Sequence, residues 1–244
     1  MFHIIIPARF GSVRLPGKAL LPIEGKPLLG WVWERASSVG AISVIVATDD
    51  KRIRDVMTEL GADVEMTSPD HVSGTDRVAE VIKNRALPDN EMVVNLQGDE
   101  PMMPISHIQL VAEILRDVTE ADMSTLMEPL AFDESLEPSV VKVVVSETGR
   151  ALYFSRSRIP ANRDGANETP LYRHLGLYAY RVKFLKRFVS WPISPLEQSE
   201  SLEQLRALSH DAHIQMGRVA QSDSIGVDTE EDLVMVRRLM AANS

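Results

Sequence analysis

The chain contains no cysteine. That absence removes disulfides, thiolate zinc sites, iron–sulfur clusters and cysteine nucleophiles together. No apolar run approaches the roughly 18–20 residues that span a bilayer. The first residues, MFHIIIPARF, lack the basic start and apolar core of a secretory signal, so the cytoplasm is the expected compartment. Positive charge is scarce: 26 Lys and Arg stand against 35 Asp and Glu, a formal net charge of −9. That balance argues against a dedicated nucleic-acid binder, since phosphate backbones demand many cations. Tandem repeats, low-complexity segments and charge blocks are missing too, and no shift in composition cuts the chain into independent domains. What is present is 244 residues, 44% of them hydrophobic, enough for one domain with a sizeable core.

Residues 2–6 (FHIII), 43–48 (SVIVAT) and 92–96 (MVVNL) are short apolar runs that read as buried parallel strands. Helical patterns cover 27–39, 50–60 and 75–86. Strands alternating with helices at this spacing predict an α/β sheet. Ligands in such sheets bind beyond the carboxyl ends of the strands. The second half changes rhythm. Residues 140–145, 151–155, 175–180 and 214–219 read as strands, and 196–208 and 229–241 as helices. The stretch 159–170, rich in Pro, Asn, Asp and Gly, reads as an exposed loop and a lid candidate.

The first strand runs into PARFGSVRLPGK, residues 7–18, which hold two glycines, two arginines and a lysine. Glycine lets backbone N–H groups approach a ligand, and clustered cations neutralise phosphate oxygens. A triphosphate suits this combination. It is neither of two well-known phosphate loops. Five residues separate Gly11 from Gly17 and Ala19 follows Lys18, so the Walker pattern fails; G-x-G-x-x-G is absent as well.

Two aspartates stand near strand and helix ends. Asp99, in NLQGDEP, follows the third strand and reads either as a turn residue or as a magnesium ligand. Asp228, in IGVDT, reads either as a cap of the last helix, shared with Thr229, or as a second ligand. The segment HVSGTDR, residues 71–77, reads as a helix cap or as hydroxyl and N–H donors for a nucleotide.

PARFGSVRLPGKAL, HVSGTDR, NLQGDEPMMP, ALYFSRSRIP, YRHLGLYAYR, SPLEQSESLEQLRAL and IGVDTEEDL occur in this order. Together they resemble the 3-deoxy-manno-octulosonate cytidylyltransferases, or CMP-Kdo synthetases, over residues 2–240. The resemblance implies a nucleotide-diphospho-sugar transferase-like, three-layer α/β fold. Its mixed, mostly parallel sheet would carry a smaller antiparallel portion for sugar binding and dimerisation. One domain, 1–244, would hold a nucleotide-binding half to about residue 130, a sugar-binding and dimerisation portion over about 131–225, and a C-terminal helix returning over 226–244. The implied reaction joins CTP and Kdo to give CMP-Kdo and pyrophosphate, with Mg²⁺ as cofactor, in a cytoplasmic homodimer with no membrane or nucleic-acid partner.

By the same resemblance, Arg9 and Lys18 handle the triphosphate. Ala8, Ser73, Gly74, Thr75 and Arg77 belong to the cytidine side, and Asp99 and Asp228 hold magnesium. Arg14, Gln97, Arg156, His174, Tyr178, Glu203 and Gln204 surround the sugar acid. Lys18, Arg14 and Asp99 carry the chemistry. The chain departs from the usual pattern at Phe10, Ala19 and Val72. An 8-amino-Kdo or sialate-like acceptor, and a non-catalytic nucleotide-binding regulator, stand as alternatives.

Overall fold

The computed structural model describes residues 1–12, 14–163, 169–220 and 224–242. The chain divides into two compact units, Met1–Gln109 with Asp223–Ser244, and Leu110–Ser222.

In the first unit, β1 (Phe2–Ala8), β4 (Val44–Thr48), β5 (Asp63–Met66) and β6 (Met92–Asn95) form the sheet order β6-β1-β4-β5, with every pairing parallel. Ile4, Ile5 and Ile6 of β1 are wholly buried, as a strand covered on both faces requires. The apolar run 2–6 does not stop at Pro7: β1 continues through it to Ala8. Proline is tolerated because β6 pairs only as far as Ile5, so no ladder bond is asked of its nitrogen on that side. A two-residue hairpin, β2 (Pro22–Ile23) and β3 (Lys26–Pro27), precedes helix α1 (Leu28–Ser37). Helices α2 (Lys51–Glu59) and α3 (Gly74–Asn84) follow, and α4 (Ile105–Asp117) leaves the unit. Asp50 caps α2 through Arg52 N. Ser73 caps α3 in a reciprocal box with Asp76.

The second unit is mixed. Strand β7 (Met123–Pro129) pairs antiparallel with β10 (Tyr172–Arg181) and parallel with β11 (Ile214–Arg218). The hairpin of β8 (Lys142–Val145) and β9 (Ala151–Ser155) joins β10 through β8. Helix α5 (Val182–Phe188) follows β10. The helix expected over 196–208 is two: α6 (Pro195–Glu200) and α7 (Gln204–Ser209). Ser201 turns left-handed at φ 52° and breaks the run. Glu197 of α6 and Arg206 of α7 then meet in a buried two-point ion pair, at 2.8 and 2.6 Å. Of the predicted 159–170 loop, residues 164–168 lie outside the described residues.

Helix α8 (Glu230–Ala242) belongs to the first unit, where Arg237 holds the Pro22 carbonyl. No helix among the described residues is long and apolar enough to cross a membrane.

Candidate active site

The carboxyl ends of β1 and β6 open onto a cleft of about 390 Å³. Arg9, Arg14 and Lys18 line it from the glycine loop, with Gln97, Gly98, Asp99 and Asp228. His71, Val72, Ser73, Gly74 and Arg77 line it from the start of α3. The loop ties itself down: Phe10 O accepts from Ser12 N at 2.9 Å and Gly17 N at 3.0 Å. Gly17 has φ +70°, and a Cβ there would come within 2.9 Å of the Phe10 ring. The guanidinium of Arg52 lies 3.3 Å from the centroid of that ring. The turn thus launches Lys18 from a braced loop.

Lys18 Nζ donates to Asp99 Oδ2 at 2.6 Å, Asp228 Oδ1 at 2.8 Å and Val227 O at 2.9 Å. Burial works against its charge, but the two carboxylates, Asp99 foremost, outweigh it and hold its pKa above the usual lysine value. Arg14 reaches the other oxygen of Asp228 at 2.7 Å. Burial raises the Asp228 pKa, yet Lys18 and then Arg14 more than offset this and leave it below the ordinary aspartate range.

The capping question at Asp228 has a clear answer. Thr229 Oγ1 accepts from Asp232 N at 3.2 Å, and Asp232 Oδ2 accepts from the backbone N–H of Asp228 and Thr229. Thr229 takes the cap, which frees the Asp228 carboxylate for the cleft. At α3 the balance differs. The Ser73 hydroxyl is committed to Asp76, accepting at 3.1 Å and donating at 3.0 Å, and its N–H donates to the same carboxylate at 3.2 Å, so the backbone N–H on offer is that of Gly74. Thr75 is buried and absent from the cleft lining. Arg77 is buried against Thr67 and, at 3.4 Å, Asp49. Arg9 is exposed at the cleft wall.

Residues 3–214 match a family described as Cytidylyltransferase. The 3-deoxy-manno-octulosonate cytidylyltransferase of Tolumonas auensis is 48% identical over 246 residues, covering 98% of this chain and 96% of that protein. The one from Chromohalobacter salexigens is 50% identical, again covering 98% and 96%. The chain belongs to the 3-deoxy-manno-octulosonate cytidylyltransferase family. A solved CMP:2-keto-3-deoxy-manno-octonic acid synthetase complexed with CTP matches at TM-score 0.94 and 43% identity, covering 100% of both chains. A cytidylyltransferase from Leptospira borgpetersenii shares the fold at TM-score 0.64 and 18% identity, covering 99% of this chain and 87% of that one.

In this cytidylyltransferase the other five predicted residues lie in the second unit. His174 and Tyr178 stand on β10, their rings 5.4 Å apart, with Phe154 edge-on to His174 at 5.0 Å. His174 Nε2 is 3.0 Å from Thr125 Oγ1. Thr125 Oγ1 can donate to the Leu175 and Leu177 carbonyls, at 3.0 and 2.7 Å, so the ring is tied into the sheet. Enclosure of that ring pushes its pKa down to about 3, leaving it neutral. Burial and the nearby Glu203 charge push the Tyr178 phenol up. Gln204 is buried, with Nε2 lacking a partner among the described residues. Glu203 sits 3.7 Å from Arg206. The Arg156 guanidinium donates to three carbonyls: Glu200 at 2.7 Å, Pro138 at 3.1 Å and Ser201 at 3.3 Å. It ties the α6–α7 turn to the β8 approach, a commitment its sequence position did not reveal.

Sequence reasoning passed over Gly98 and His71. A Cβ on Gly98 would come within 2.8 Å of Pro7 O, so only glycine lets β6 deliver Asp99 this close to β1. Its place directly before Asp99 was the available signal. His71 lines the cleft beside Val72, which is 85% exposed.

Proposed function

We propose that this chain transfers CMP from CTP to the anomeric hydroxyl of 3-deoxy-D-manno-octulosonate, releasing pyrophosphate and supplying CMP-Kdo for lipopolysaccharide synthesis. The observation that carries the reading is the Lys18–Asp99–Asp228 cluster at the floor of a cation-lined cleft, in a chain about half identical to cytidylyltransferases of that name.

The reaction brings two anions together, a triphosphate and a sugar acid. Arg9, Arg14 and Lys18 supply the charge that offsets their repulsion. The Gly74 backbone N–H, which lines the cleft at the start of α3, is placed to hold the nucleoside end. Catalysis on this reading is positioning plus charge stabilisation, with in-line attack on the α-phosphorus and no covalent enzyme intermediate.

The donor set fits Mg²⁺. Two carboxylates already converge on one cation, the Lys18 ammonium, at 2.6 and 2.8 Å. No cluster of three or more metal-ligating side chains occurs among the described residues. One or two carboxylates, with substrate phosphates and water, are the usual set for magnesium. Asp99 and Asp228 would hold the ion. When bound, it neutralises phosphate charge and acidifies a coordinated hydroxyl. Lys18, displaced from the carboxylates, then has its ammonium available for a phosphate oxygen.

On this reading Arg14 and Gln97 serve the sugar acid, as do Arg156, His174, Tyr178, Glu203 and Gln204. Neutral His174 and the unpartnered Gln204 amide suit sugar hydroxyls. Exposed Phe132, Leu136, Leu152, Ile193 and Leu196, all in the second unit, support a homodimer contact. A cytoplasmic location follows from the substrates. The deciding assay measures pyrophosphate release with CTP, Mg²⁺ and a panel of sugar acids. Release with Kdo is expected. Release only with 8-amino-Kdo or a sialate would reassign the acceptor. No release despite tight CTP binding would make the chain a regulator.

A further inference from the structure

His71, in the cleft lining, and Glu80, its partner on α3, have no role in the chemistry above. His71 comes from the segment that opens α3 and not from the loop that carries the cations, so it stands at the nucleoside end if the phosphates lie on those cations. Its Nε2 contacts Glu80 Oε2, one turn and a half along α3. The same carboxylate oxygen accepts from Ser68 N at 2.9 Å, which fixes the loop in front of the helix. Burial works against the Glu80 charge, but the Ser68 and His71 bonds outweigh it and hold this carboxyl below the usual glutamate range. Glu80 is therefore an acceptor only, and His71 Nε2 is obliged to donate to it. The other ring nitrogen, Nδ1, has no hydrogen-bond partner among the described residues and is not a buried atom. In the neutral imidazole it is an acceptor.

Cytosine and uracil differ at one exocyclic position: cytosine presents an amine that donates, uracil a carbonyl that accepts. We infer that His71 is a specificity-determining residue and Glu80 its positioning residue. Glu80 keeps the His71 proton on Nε2, so that Nδ1 takes the exocyclic amine of cytosine and turns away the carbonyl of uracil. This rests on the CTP-dependent reading above. The neighbouring Val72 side chain is apolar and cannot make the discrimination itself.

Glu80→Leu isolates the effect. It removes the oxygen that Ser68 N and His71 Nε2 share, so the ring proton is no longer held on Nε2. Glu80→Gln is the conservative control, because its carbonyl oxygen at the shared position still accepts from both. The test is titration calorimetry of CTP and of UTP, each with Mg²⁺, on the full chain. Wild type is expected to prefer CTP. Glu80→Leu is expected to lose about tenfold of that preference, with CTP weaker and UTP stronger, because Nδ1 is then free to carry the proton, and Glu80→Gln is expected to restore it. An unchanged ratio in Glu80→Leu would overturn the inference, as would equal binding of the two nucleotides by wild type. If Glu80→Leu unfolds, His71→Phe serves instead: it keeps the ring and removes both nitrogens, and an unchanged ratio there refutes the role equally. Pyrophosphate release by wild type with CTP and Kdo is measured alongside. Its absence would strike the activity reading, while the binding ratio still judges the histidine.

Discussion

Replacing Lys18 by methionine separates the lysine's structural work from the metal role proposed for its partners. The substitution keeps most of the apolar stem and deletes the charge. Asp99 and Asp228 then face one another with no cation between them. The Lys18 side chain is 14% exposed, but those of Asp99 and Asp228 are 30% and 46% exposed. Breaking a fully buried ion pair costs about 3–5 kcal/mol, whereas exposed pairs contribute about 0–1 kcal/mol. This cluster lies between the limits and water screens the remaining repulsion, so a loss of about 1–2 kcal/mol is expected. For a chain of this size that lowers Tm by roughly 3–6 °C. The stripped carboxylate pair no longer has a lysine competing for it. Millimolar Mg²⁺ without nucleotide should therefore raise Tm more in Lys18→Met than in wild type. Thermal unfolding in EDTA and in Mg²⁺ reads both effects. Equal Mg²⁺ shifts in the two proteins would refute the shared cation site. A variant as stable as wild type in EDTA would refute the energetic role of the cluster.

Three further outcomes follow from the same geometry. The Asp228 pKa is lowered from an ordinary value of 3.8, so its contribution to stability is full above about pH 4 and is lost as pH falls through the lower folded value. Urea unfolding across that window should show the gap between wild type and Asp228→Asn closing on the acid side; a constant gap would contradict it. Gly98→Ala drives a Cβ to 2.8 Å from Pro7 O, and calorimetry should find a loss of about 1–3 kcal/mol. Arg156→Ala removes donors from three carbonyls, two of them at the α6–α7 turn, and should cost about 1–2 kcal/mol by denaturant titration. The same variant should raise the KM for Kdo while that for CTP stays near wild type; a rise for CTP alone would remove Arg156 from the sugar side.

Much of the first unit was legible in its residues because burial on both faces writes continuous apolar runs, as in Ile4–Ile6 and Val93–Val94. Strand β5 was not, because its four residues, DVEM, stay partly or fully exposed and carry charge. The helix over 196–208 looked continuous by leucine spacing, yet Ser201 breaks it and lets Arg206 meet Glu197. At Asp228 the sequence alone leaned towards the cap, since aspartate and threonine both cap helices.

By itself, the sequence determined the chemistry: a cysteine-free chain, a glycine loop rich in cations, two aspartates after strand and loop, and an ordered set of family motifs. Only the tertiary structure decided which atoms meet. Lys18 lies 81 and 210 residues from the carboxylates it joins, and chain spacing says nothing about contacts at that range. Burial then sets the outcome: desolvation makes an unpaired charge costly, so Lys18 and Asp228 hold one another charged in the cleft. In the same way Glu80 decides which nitrogen of His71 carries the proton, a choice that no single residue type encodes.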